Sequence, residues 1–206
     1  IMYVVVAGAV SKFTNTGIEY MVNEDIHSGG IAGYLVRPVN YIGFRLCDIL
    51  GNKFASMITM VFVTMGALLL LFLTVDFVVP PAAVLLFFPS LALAAVLNFF
   101  IFFCLSTLAF WLTEIGNFFH AMSVVIMVMS GGVFPVSVFG STYEDISRYI
   151  PLTYTVNYPI RILSGTVGVW EAAEVLCVQL IWIFMLAVLG RFCWHLGLKK
   201  YVAVGG

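Results

Sequence analysis

Long apolar runs without charge, separated by short polar segments, set the pattern of this chain. Phe54 to Val75 carries no charge and is bounded by Lys53 and Asp76. A second run follows the VVPP turn at 78–81 and continues to Trp111, with Pro89 near its start; a third reaches Gly131, Gly132 and Pro135; a fourth follows Ala172. The hydrocarbon core of a bilayer is about 30 Å thick and a helix rises about 1.5 Å per residue, so about 20 apolar residues cross it. The pattern predicts spans at 54–75, 83–111, 118–133 and 172–194. The third is marginal in length and open to re-entry. IMYVVVAGAV at the start lacks the basic region and cleavage site of a signal peptide, and reads as the tail (1–12) of an earlier span that begins upstream of Ile1.

Between the spans, two regions break the pattern. In residues 13–53, Ile18, Met21, Val22 and Ile26 recur at i, i+3, i+4 and i+8, the apolar stripe of a short amphipathic helix, with Glu19, Asn23 and Glu24 off it. Gly29, Gly30 and Gly33 loosen the backbone, and Arg37-Pro38 turns the chain. Asn40 is placed to cap a second helix, on which Arg45, Asp48 and Asn52 share a face. An interfacial hairpin and a docking element for a soluble protein both fit this spacing. Residues 134–169 are too apolar for a free loop and too broken by Gly and Pro for a span. They predict short helices dipping into the interface and packed on protein, one of them capped by Ser141 or Thr142, pairing Glu144 with Arg148, and ended by Pro151.

Composition agrees with a membrane protein: 63% of the 206 residues are hydrophobic and 9% charged, with a mean hydropathy of +1.11. The net charge of −1 excludes a basic surface for nucleic acid. Lys12, Arg37, Arg45 and Lys53 precede the first full span, and Arg191, Lys199 and Lys200 close the last. With four crossings these fall on one side, which the positive-inside rule makes cytoplasmic, together with the 195–206 tail. The 134–169 segment then lies outside. Cys47, Cys104, Cys177 and Cys193 are isolated and read as packing residues.

Asn98 is a strongly polar residue in the second span and must face protein or a cavity, as interhelical glue or as part of a path. Glu114 and His120 sit at the turn before the third span, where a solvated turn and a proton relay are the two readings. No phosphate loop, zinc-protease or nucleophile-elbow motif is present, so ATP-driven work would need a nucleotide-binding partner.

Three stretches, IHSGGIAGYLVRPVN (26–40), SGGVFPVSVF with ISRYIPLTYTVNYPIRILSG (130–165), and GLKKYVAVGG (197–206), resemble in order the permease subunits of bacterial type-2 ATP-binding-cassette (ABC-2) exporters. The resemblance implies an all-α integral membrane protein, a polytopic helical bundle with about four complete spans here, a cytoplasmic coupling helix and extracytoplasmic re-entrant short helices. Members usually have six spans, so the first and part of the second would precede Ile1. It also implies a multi-pass protein of the cytoplasmic membrane that is no enzyme, binds no cofactor or metal itself, and works as a dimer with a second copy or a paralogue. ATP and Mg2+ would sit in a separate ATPase subunit. Glu24, Asp25, Ile26, His27, Gly29, Gly30, Gly33, Arg37 and Pro38 would couple to that ATPase, and Asn98, Ser130, Gly131, Gly132 and Pro135 would line the path of an amphipathic or hydrophobic cargo, such as a drug, lipid or polysaccharide. The alternative is an ATP-independent secondary transporter or channel. It is disfavoured because the predicted spans carry no acidic or basic residue at mid-depth.

Overall fold

The computed structural model describes residues 2–36, 39–75 and 80–201. The helices are α1 (Met2–Thr14), α2 (Ile18–His27), α3 (Ile31–Leu35), α4 (Tyr41–Val75), α5 (Pro81–Ser106), α6 (Gly116–Met129), α7 (Ser141–Ser147), α8 (Asn157–Leu163) and α9 (Val169–Leu198), with 3-10 turns at Thr107–Phe110, Val136–Phe139 and Pro151–Tyr154. Among the described residues there is no strand. This is the all-α bundle expected.

Among the described residues, two helices are long and apolar enough to cross a membrane: α5 with its 3-10 extension, Pro81–Phe110, and α9. A third is reached if α4 counts as one span, Tyr41–Phe54 and Ser56–Gly66 meeting at 45°. The segment expected as a separate amphipathic helix before Lys53 is thus continuous with the apolar run after it. Asn40 begins it as expected, its Oδ1 accepting from the N–H groups of Ile42 and Gly43 at 3.1 and 3.3 Å. The α6 helix has 14 residues, a length of about 21 Å, and falls short of the hydrocarbon thickness. It stops at Ser130 because Gly131 takes φ +85°, a left-handed conformation open to glycine.

The centre of the bundle is α5. It packs against α1, α2, α8 and α9, and 56% of its most apolar stretch is buried, against 17% for α9. Pro81 starts α5 at a position where the missing N–H costs no hydrogen bond. Helices gain little from hydrophobic burial against one another in lipid, so polar side chains and close packing hold them. Gln179 of α9, fully buried, supplies such a contact: Ser90 Oγ lies 3.2 Å from its Oε1, and its Nε2 donates to the carbonyls of Ser90 (3.1 Å) and Tyr154 (2.9 Å). Sequence reasoning passed over Gln179. Its signal was a lone amide inside an apolar helix, the same one that marked Asn98.

Around Trp194 of α9 the aromatic rings converge. Tyr41 of α4 stacks on it at 4.5 Å, and Phe103 of α5 and Phe110 lie 5.6 and 5.2 Å away, each pair contributing about 0.5–1.5 kcal/mol beyond area burial. Where expected short helices occur between 134 and 169, two local details differ. No side chain caps α7, because the helix already begins at Ser141 and Gly140 takes the cap position. Arg148 pairs with Asp145, one turn back at 3.8 Å, rather than with Glu144.

Candidate functional site

Two places gather the polar residues singled out in the sequence. The first is α2 and α3. Ile18, Val22 and Ile26 are buried along α2 as expected, but Met21 is exposed and Glu19 is 1% exposed. At 100° per residue the i, i+4, i+8 row drifts by about 40° per step, so Ile26 comes within about 20° of Glu19, while Met21 lies about 60° beyond the opposite edge. The buried face therefore centres toward Glu19. Its Oε2 has no hydrogen-bond partner, nor have Thr16 Oγ1 and Asn23 Oδ1 on the same side. Burial pushes the Glu19 carboxyl above its ordinary range, outweighing a hydrogen bond to its own backbone that pulls it down.

Of the expected coupling residues, Glu24 and His27 are exposed, Ile26 is buried, and Asp25 turns inward. Its carboxylate accepts from Tyr41 Oη and from the Arg45 guanidinium, and Arg45 also reaches Asp48 at 3.7 Å. These bonds clamp α2 onto the start of α4. Gly29, at φ +80°, makes the turn into α3, and Gly30 sits where a Cβ would come 3.2 Å from Asp25 Oδ1. Gly33 lies within α3 facing open space. Arg37 and Pro38 lie outside the described residues. On the other flank, Lys53 Nζ donates to the carbonyls of Phe13 and Asn15, where the C-terminal end of α1 leaves carbonyls unpaired.

The second place is a half-open cavity of about 250 Å³ between α1, α5 and α6. Its polar lining comes from Ser11, Thr14, Asn15, Asn98, His120, Ser123, Ser130 and Thr155, with Phe102, Ile126 and Val156 among the apolar members. The His120 to Ser130 stretch of α6 runs along it, roughly 15 Å of helix. Two buried oxygens on this lining, Ser11 Oγ and Asn98 Oδ1, have no hydrogen-bond partner. An unpaired buried amide oxygen costs about 1–3 kcal/mol, so the cavity favours a guest that brings hydrogen-bond donors. Among the described residues no Asp, Glu, Lys or Arg lines it.

Asn98 and Ser130 thus share one cavity. Gly131 and Gly132 edge it differently, by admitting α1: Tyr3 Oη donates to the Gly131 carbonyl at 2.8 Å, and a Cβ on Gly132 would come 2.6 Å from Ser11 Oγ. Pro135 begins the 136–139 turn and is not part of the lining. Ser11, Thr14 and Thr155 were not singled out from the sequence; hydroxyls near apolar runs are too common to signal a site. Glu114 is exposed in the turn and stands apart from His120's cavity.

Residues 1–205 match the sequence family described as ABC-2 family transporter protein. The chain belongs to the ABC-2 transporter family. No curated protein and no solved structure matches it. As an ABC-2 transporter it is a membrane-embedded transport component, a permease of the ABC exporter kind, and the family generally works with an ATPase subunit.

Proposed function

We propose that the chain is the permease subunit of an ATP-binding-cassette exporter in the cytoplasmic membrane, moving an amphipathic cargo past the cavity between α1, α5 and α6. The observation that carries this reading is the pair of unpaired buried oxygens, Ser11 Oγ and Asn98 Oδ1, on one cavity wall. A hydroxyl-bearing head group would satisfy them, while the apolar wall at Phe102 and Ile126 takes its hydrocarbon part. A second permease, a copy or a paralogue, closes the open side. A separate ATPase subunit holds ATP and Mg2+ and docks on the exposed face of α2 and α3, with these helices and the C-terminal tail on the cytoplasmic side, as the distribution of Lys and Arg suggests. ATPase closure moves α2, and the Asp25–Arg45 clamp transmits that movement to α4. A cavity without charged lining gives no support to ion-coupled transport.

The test is Asn98→Leu in the permease reconstituted with its ATPase. With Oδ1 bonded to nothing, the substitution leaves thermal stability unchanged or raised, while cargo-stimulated ATP hydrolysis falls about tenfold, the loss of one well-placed hydrogen bond worth about 1.4 kcal/mol. Lowered stability with unaltered transport would make Asn98 interhelical glue and refute the path.

A further inference from the structure

A second concavity lies away from the cargo cavity, at the end of α9. It measures about 410 Å³ and is lined by residues of three elements: Ile31 and Tyr34 of α3, Tyr41 at the start of α4, and Arg191, Trp194 and His195 of α9. Its floor is aromatic. Tyr41 stacks on Trp194 at 4.5 Å with the rings 7° from parallel, and Tyr34 meets Tyr41 edge-on at 5.1 Å. Its rim is basic, since Arg191 and His195 are exposed. Asp25 and Asp48, which flank the start of α4, both pair with Arg45. Among the described residues no carboxylate pairs with Arg191.

The apolar surface beside the rim says what kind of molecule would fit. Phe184, Val188 and Phe192 of α9 are 69%, 55% and 61% exposed, and at 100° per residue they share a helix face with Arg191 and His195, all within about 60° of Val188. An outward apolar stripe of a membrane helix thus leads directly into a groove with an aromatic floor and a cationic rim. Aromatic and basic residues at the end of a span mark the headgroup level, where basic pockets between helices take anionic head groups.

We infer that this groove binds an anionic phospholipid, its acyl chains along the α9 stripe and its phosphate at Arg191, with the glycerol region over Trp194 and Tyr34. The guanidinium meets the phosphate through paired N–H donors. Lys199 and Lys200, exposed just beyond, add attraction from a distance. A soluble partner is a poorer occupant, because it would have to cover the apolar stripe within the bilayer as well as the rim. The inference requires only a membrane-embedded protein, and stands whether or not the cargo reading does.

The experiment offers the full-length permease an equimolar mixture of phosphatidylglycerol and phosphatidylcholine, and counts retained lipid by native mass spectrometry. The wild type is expected to retain phosphatidylglycerol preferentially, Arg191→Gln to lose about fivefold of that preference, and Arg191→Lys, which keeps the charge but not the paired donors, to fall between the two, each near-surface charge contributing on the order of a fivefold factor. Unchanged melting temperatures confirm that the variants are folded. Equal retention of the two lipids by the wild type overturns the inference, as does an Arg191→Gln variant with undiminished preference. A Lys199→Gln, Lys200→Gln variant that loses as much as Arg191→Gln also overturns it, by showing diffuse attraction to the tail. Two further results would do so: inorganic phosphate displacing the lipid completely at millimolar concentration, which marks a free-anion site, and loss of the ATPase subunit from Arg191→Gln with lipid retention intact, which marks a protein-docking surface.

Discussion

Glu19 holds a carboxyl group at 1% exposure with one oxygen unpaired, and such a group resists ionisation. An unfolded glutamate titrates at about pH 4.3; the folded one holds its proton to higher pH because burial disfavours the charged form. The native state therefore binds more protons than the unfolded state above about pH 4.3, and the stability this supplies is present in acid and lost as pH rises through the folded value. Glu19→Gln, which cannot ionise, is expected to melt at higher temperature than wild type at pH 8, with the gap closing toward pH 4; a wild type more stable than the variant at pH 8 would refute this. Gly132 makes a second prediction at this scale. A Cβ there would approach both Ser11 Oγ (2.6 Å) and the Met127 carbonyl (2.9 Å), so Gly132→Ala is expected to cost about 1–3 kcal/mol. Adding Ser11→Ala should restore part of it, measured as thermal stability in detergent.

Between elements, the Asp25–Arg45 pair is the joint that matters most. Both side chains are about 15% exposed, and Tyr41 shares the carboxylate. A double-mutant cycle on Asp25→Asn and Arg45→Gln is expected to give a coupling energy of about 0.5–3 kcal/mol. An interaction near zero would mean that α2 is held by its apolar face alone. What was legible in the sequence sorts by the same scale. The apolar runs located the bodies of α4, α5 and α9 because a long charge-free run has few other solutions in a chain this apolar. Asn98 stood out because an amide in such a run needs a reason. The buried side of α2 lies about 40° round from the stripe its apolar residues define: four apolar residues define a stripe only to within a few tens of degrees, and nothing local says that a glutamate will be buried. Asp25 read as a docking charge for a related reason. Its partner Arg45 is 20 residues away, and no spacing rule connects them. Gln179 and the hydroxyls of the cavity act through contacts between distant helices, which a linear pattern does not contain.

Across the whole molecule, the proposed docking surface at α2 and α3 is joined to the cavity at Asn98 through a helix bundle centred on α5. Docking should depend on the exposed residues Glu24 and His27, not on Asp25, whose loss would loosen α2 from within and mimic a docking defect. The most direct test is therefore to co-purify the permease with its ATPase and measure ATP hydrolysis in the complex, comparing wild type with a Glu24→Arg, His27→Glu variant that melts at the wild-type temperature. The expected result is that the two substitutions release the ATPase or uncouple its hydrolysis while the bundle stays folded. A variant that binds and hydrolyses as wild type does would contradict it.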